Sequence, residues 1–170
     1  MEAGSLSVIT IATRTENDMS AWSDEMETER ELLTEHYVAA AKEICARQES
    51  PPRSRSHHFD VASFFRLKDD NYWADFIDPC SGKPYYGSHT PTTMFETDEK
   101  YRLLGFRIED LGCCKVLCHR EYGRNVFVGT IFSDVGTKNG VVQDIFEDLR
   151  LVLNKTSTAS GPAGIQMPTP

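Results

Sequence analysis

Over Leu6 to Thr13 the apolar positions fall on both parities of an extended chain. Leu6, Val8 and Ala12 share one face, with Thr10 as its polar exception, and Ile9 and Ile11 share the other. A strand buried on both sides reads this way, and Asn17-Asp18 ends it. From about Ser23 to Arg47 the period changes: Trp22, Met26, Leu33, Tyr37, Ala40 and Ile44 recur at helical spacing. Asp24, Glu25, Glu27 and Glu29 crowd the first turns and Lys42 and Arg47 lie near the end, the charge order a helix dipole favours. The segment predicts one long helix of about seven turns.

Gln48 to His58 is polar and carries Pro51-Pro52, which cannot continue a helix, so it reads as a mobile surface loop. Phe59 to Leu67 has the apolar content of a short helix. Tyr72 to Ile77 reads as a strand ended by Asp78-Pro79, and Pro79-Cys80-Ser81-Gly82 is turn chemistry leading into Lys83 to Tyr86. Thr93-x-x-Glu96 fits a capping box, which predicts a helix from about Phe95 to Leu104 with Gly105 as its C-terminal cap. Cys113 to Arg120 and Asn125 to Phe132 are β-rich runs joined by Glu121-Tyr122-Gly123-Arg124, the strongest hairpin signal in the chain. Val141, Val142, Ile145, Phe146, Leu149, Val152 and Leu153 form a helical stripe, and after Lys155 the composition is that of a disordered tail.

Strand, long helix, strand, helix, hairpin, helix is the order of an α+β fold with a mainly antiparallel sheet and packed helices. The expected organisation is a single domain over residues 1–155 with a loop insertion at 48–58 and a tail at 156–170. A doubly wound nucleotide fold is disfavoured, because Arg14-Thr15-Glu16-Asn17 after the first strand holds no glycine to admit a pyrophosphate. Length agrees: 170 residues support one globular domain. Lys plus Arg number 18 against 26 Asp plus Glu, a net charge of -8 that argues against nucleic acid or an anionic membrane as the main partner. The apolar run at Leu6–Ala12 is short and followed by charge, so neither a signal peptide nor a membrane span is read here. The sequon at Asn154-Lys155-Thr156 reads as chance.

Five cysteines, an odd number with Cys113 and Cys114 adjacent, do not form a secreted disulfide framework and point to a reducing compartment. Gly112-Cys113-Cys114-Lys115-Val116-Leu117-Cys118-His119 invites a metal reading, but a structural zinc site needs cysteines two to four residues apart and a second such pair. Strand alternation instead groups Cys114, Val116 and Cys118 as core, and Cys113, Lys115, Leu117 and His119 on the other face. Cys113 is then the accessible thiol, with the Lys115 ammonium favouring its thiolate; the alternative is a small residue at the mouth of a strand. Cys45 and Cys80 read as structural, His36 as a helix flank, and His57-His58 with Arg53 and Arg55 as a solvated loop. Glu109-Asp110 and Asp69-Asp70 are adjacent carboxylates rather than facing ones, and no G-x-S-x-G elbow exists, so no hydrolytic constellation is present.

Lys42-Glu43-Ile44-Cys45, Tyr72-Trp73-Ala74-Asp75-Phe76-Ile77-Asp78-Pro79, the run Phe95 to Phe106 and Asp110-Leu111-Gly112-Cys113-Cys114-Lys115-Val116, with Asn17-Asp18-Met19-x-x-Trp22-Ser23 upstream, closely resemble the C-terminal domain of the CblD family. The likeness runs from about Leu6 to Ser133 and fades beyond. Between Cys45 and Tyr72 the chain carries a longer segment than the family pattern.

The resemblance implies a nitroreductase-like fold without flavin, in a non-enzymatic cobalamin-trafficking chaperone with no catalytic residue. It implies a CblC-type cobalamin-processing protein as partner, with Cys113 supplying its sulfur to the cobalt of partner-bound cobalamin. Cys114 is the second candidate; spacing, rather than the resemblance, adds Lys115 as a tuning residue and Arg107 to Gly112 as the loop that positions the thiol. Delivery to methionine synthase or methylmalonyl-CoA mutase would follow, from a cytoplasmic pool and, for a longer form, a mitochondrial one. Methionine synthase as a direct partner and a homodimer are left open. Two other readings stand beside it: an FMN-dependent oxidoreductase of nitroreductase type, and a thiol redox protein using Cys113 with Cys114 or Cys118.

Overall fold

The structure, a computed structural model, describes residues 6–45, 73–88, 91–136, 143 and 164–166. Strand β1 (Ser7–Arg14) leads to helix α1 (Asp24–Cys45), then β2 (Ala74–Phe76), a 3₁₀ helix (Glu99–Leu104), β3 (Arg107–Asp110), β4 (Lys115–Cys118), β5 (Val126–Ser133) and β6 (Gly164–Gln166). Four strands form one sheet in the order β2-β5-β1-β6, and β3 and β4 form a two-stranded ribbon. Every strand pairing among the described residues is antiparallel; β1 and β5 run together from Ser7↔Ser133 to Arg14↔Val126. This mixed α/β architecture with antiparallel sheets agrees with the class read from the element order.

The two faces of β1 go to two cores, as its double-sided apolar pattern requires. Ile9 and Ile11 pack with Tyr37, Ala41, Ile44 and Cys45 of α1 and with Phe76, Phe127 and Ile131. Ala12, on the opposite parity, packs with Val126, Val128, Tyr101, Phe106, Ile108 and Leu117. The sheet therefore lies between α1 on one side and the ribbon with the 3₁₀ helix on the other. Thr130 joins the layers: its carbonyl accepts from Tyr37 Oη at 2.9 Å, and its hydroxyl lies 2.8 Å from Tyr101 Oη.

Helix α1 starts where its charges and cap place it. The Met26 amide donates to Ser23 Oγ at 3.3 Å, and Asp24, Glu25 and Glu27 fill the first turn with Lys42 in the last. Trp22, assigned to the buried stripe, is instead 87% exposed, because it precedes the cap and does not share the helical period. Farther along, Glu29 Oε1 accepts from the Glu16 amide at 2.7 Å and Oε2 from the Asn17 amide at 2.9 Å, which fastens the loop after β1 to the helix.

Three expectations are corrected. The Glu121–Arg124 turn does not join a hairpin: β4 pairs with β3, and β5 pairs with β1 and β2. Both edges of β5 are thereby taken, and the turn, with only the bridge His119↔Gly123, carries the chain from the ribbon layer to the sheet. The helix expected at 95–104 is a 3₁₀ helix beginning at Glu99, because Glu96 is drawn to Arg30 of α1 while Asp98 caps the turn by accepting from the Lys100 amide at 2.8 Å. Gly105, at φ 88°, is its C-cap as expected. The composition after Lys155 predicts a disordered tail, yet Gly164–Gln166 pairs with β1 as an edge strand, in the register Ile11↔Ile165. The loop at 48–58, the helix at 59–67 and most of the stripe from Val141 to Leu153 lie outside the described residues. No helix among the described residues is long and apolar enough to cross a membrane.

Candidate functional site

Arg107 to Asp110, expected as a positioning loop, is strand β3, so the ribbon is a hairpin with Leu111–Cys114 as its tip. The tip is closed by the Leu111 amide donating to the Cys114 carbonyl at 2.9 Å and by the Gly112 amide donating to Asp110 Oδ1 at 2.8 Å. Gly112 sits at φ 83°, in the left-handed region that glycine adopts without penalty, and a β-carbon there would meet nothing within 4 Å. Leu111, Gly112 and Cys113 at the tip are exposed.

Cys113 is exposed and Cys114 half-buried, with their sulfurs 3.7 Å apart. Their placement does not come from strand alternation, because β4 begins only at Lys115 and the tip residues obey turn geometry. The alternation also misplaces part of the remaining run. Leu117 and His119, expected on the solvated face with Cys113, are buried, Leu117 against Ile108 and Phe106. Val116 and Cys118, expected in the interior, are buried as read. Both faces of β4 are covered because the ribbon packs on the sheet with one side and is sealed by charged pairs on the other.

Those pairs are what the sequence reading missed. Arg124 Nη2 donates to Glu109 Oε2 at 2.9 Å and Nε to the same oxygen at 3.2 Å. Burial, and then a hydrogen bond to Glu109, push the Cys118 thiol above its ordinary range, so it stays protonated. Lys115 Nζ lies 2.9 Å from Glu99 Oε1, and Glu99 also binds Arg102. Arg102 in turn donates to the Ile108 carbonyl at 2.6 Å, tying the 3₁₀ helix to β3. The ammonium expected beside the Cys113 sulfur is thus held by a carboxylate 16 positions back. The hydrogen bonds from Arg102 and Lys115 hold the Glu99 carboxyl below the usual carboxylate range, and the bond to Glu99 raises Lys115. The Cys114 thiol is pushed up by the hydrogen bond it shares with Cys113. Glu99 to Arg102 at i,i+3 is a local helix pattern; Glu99 to Lys115 and Glu109 to Arg124 have no such signal.

His119 is a buried turn residue rather than part of a solvated cluster. Its Nδ1 accepts from the amides of Glu121 at 3.1 Å and Tyr122 at 3.3 Å, and its ring stacks on Tyr122 at 4.5 Å. Of the other singled-out residues, Cys45 is buried at the end of α1, Cys80 is exposed in the turn after β2, and His36 is exposed on α1. Arg53, Arg55, His57, His58, Asp69 and Asp70 lie outside the described residues. No group of three or more His, Cys, Asp or Glu side chains suited to a metal ion occurs among the described residues. Chemically, the hairpin tip can present two soft sulfur donors to something larger than itself.

The family model described as methylmalonic aciduria and homocystinuria type D protein matches residues 1–50 and 62–146. The gap falls inside the segment read as longer than the family pattern, and the match continues past Ser133, where the resemblance was expected to fade. Among curated proteins, the chain is 42% identical over 142 residues to the cobalamin trafficking protein CblD of Homo sapiens, 84% of this chain and 42% of that protein. It is 42% identical over 140 residues to the same protein of Mus musculus, 82% of this chain and 41% of that one, and 40% identical over 145 residues to that of Gallus gallus, 85% and 43%. The chain spans about two-fifths of the length of these relatives. With the motifs and these matches in agreement, the chain belongs to the methylmalonic aciduria and homocystinuria type D family, the CblD proteins.

Proposed function

We propose that this protein is a non-enzymatic cobalamin-trafficking adaptor that docks on a CblC-type cobalamin-processing protein and offers the Cys113 thiolate to the cobalt of the cobalamin held there. The observation that carries the reading is the exposed Cys113 sulfur at a projecting hairpin tip, in a chain whose relatives are named for cobalamin trafficking. A soft sulfur donor suits cobalt in its lower oxidation states better than a hard oxygen does. In the step, the thiol proton leaves to solvent and a sulfur lone pair forms the cobalt–sulfur bond at an axial position that is vacant or gives up a bound water to solvent. No electron changes owner. Lys115 tunes the thiolate only when its ion pair with Glu99 opens. The fold is nitroreductase-like without FMN, and the cargo passes toward methionine synthase or methylmalonyl-CoA mutase.

The test is the absorption spectrum of cobalamin bound to a CblC-type protein, recorded with and without this chain. A change in the cobalt bands is expected with the unaltered chain and with Cys114→Ser, and none with Cys113→Ser. An unchanged spectrum, or the same change from Cys113→Ser, overturns the reading. Loss with Cys114→Ser alone moves the ligand to the second sulfur.

A further inference from the structure

Two sulfurs 3.7 Å apart at an open hairpin tip have a chemistry of their own. Adjacent Cα atoms stand about 3.8 Å apart across a trans peptide. That is shorter than the roughly 4.4–6.8 Å usual for a disulfide, whose sulfurs must close to about 2.05 Å. A direct sulfur–sulfur bond therefore strains this tip. A bridge through one intervening atom does not: two thiolates bound at about 2.3 Å to one thiophilic centre are separated by about 3.3 to 3.8 Å, from the pyramidal angle of a trivalent centre to the tetrahedral angle. The observed 3.7 Å lies within that range. The closed turn, held by the Leu111–Cys114 and Gly112–Asp110 hydrogen bonds, fixes both sulfurs on one short segment before any ligand arrives.

We infer that the Cys113–Cys114 pair is a bidentate chelating site for a single thiophilic centre, and that monosubstituted trivalent arsenicals are the ligand class it takes. The reaction balances without a redox partner. An arsenic(III) oxide with one organic substituent, RAs=O, reacts with the two thiols to give RAs(S)₂ and water; two S–H bonds break, two As–S bonds form, and arsenic stays trivalent. The centre would hold Cys113 and withdraw it from any other ligand. The inference stands on the two sulfurs and not on the cobalamin reading.

Phenylarsine oxide added to the chain alone, followed by intact-mass measurement and native thiol titration, tests it. One equivalent is expected to add one phenylarsenic group and to remove two accessible thiols, leaving Cys80 reactive while Cys45 and Cys118 are buried. A dithiol such as 1,2-ethanedithiol reverses the adduct and an equal concentration of a monothiol does not. Cys113→Ser and Cys114→Ser each weaken binding at least about 100-fold, because the chelate's second bond is lost, and Cys80→Ser leaves it unchanged. A chain that loses no thiols, or an adduct that survives either Cys113→Ser or Cys114→Ser, overturns the inference. Neither result depends on whether cobalamin responds to the chain.

Discussion

A β-carbon on Gly129 would lie 1.9 Å from the Tyr37 ring, so β5 and α1 meet where β5 has no side chain. This approach is what allows Tyr37 Oη to reach the Thr130 carbonyl. Gly129→Ala is expected to destabilise the protein by about 3 kcal/mol or more, as overpacking does when the displaced atoms belong to a rigid buried ring. Urea unfolding measures it. A loss below about 1 kcal/mol would mean that α1 lifts off the sheet at little cost.

Buried acids on both sides of the sheet set an alkaline limit to stability. Burial, with a smaller contribution from Asp75, pushes the Cys45 thiol from 9.0 up to about 12, and burial pushes Tyr101 from 10.0 up to about 12. The unfolded chain loses these protons first. Their contribution is therefore complete below pH 9 and is lost as pH rises from 9 toward 12. Denaturant midpoints across that window should fall steadily, and Cys45→Ala should flatten the part nearest pH 9. A level profile would contradict the assignment.

The Lys115–Glu99 pair makes a separable prediction about Cys113. Both partners are exposed, so Glu99→Gln is expected to change stability by less than about 1 kcal/mol. Freeing the ammonium next to the hairpin tip should nevertheless speed iodoacetamide alkylation of Cys113, because a nearby cation favours the thiolate. Lys115→Met in the Glu99→Gln background should cancel the gain. Equal rates in all three proteins would remove Lys115 from any role at the thiol.

His119 is expected to matter for the turn rather than for chemistry. Its Nδ1 is the acceptor for two amides, and its ring covers Tyr122. His119→Ala leaves those donors without that acceptor, at a cost of about 1–3 kcal/mol. Hydrogen exchange should show the Glu121 and Tyr122 amides losing protection while β1 amides keep theirs. Retained protection at both would show that the backbone bridge to Gly123 holds the turn unaided.

Elements whose signal is local were legible. The double parity of Ile9, Ile11 and Ala12, the acid-first order of α1 and the glycine cap at Gly105 all appear in the structure as the residues imply. The exposed thiol of Cys113 was also found, though by an alternation that the tip does not follow. Elements defined by a distant partner were misread. Thr93-x-x-Glu96 has the form of a cap, but Arg30 claims Glu96. The Glu121–Arg124 turn has the form of a hairpin, but β5 is taken on both edges by strands far away in the chain.

The amino-acid sequence by itself determined the family, the long helix, the two-faced first strand and the cysteine pair, because each rests on neighbours in the chain: a period, a charge order, a motif. Tertiary structure alone decided that β4 turns back on β3, that Gly164–Gln166 joins the sheet, and that Lys115 belongs to Glu99. Strand pairing and ion pairing are choices among many partners of equal local merit, and only the packing of the layers, which fixes who is within reach, makes the selection.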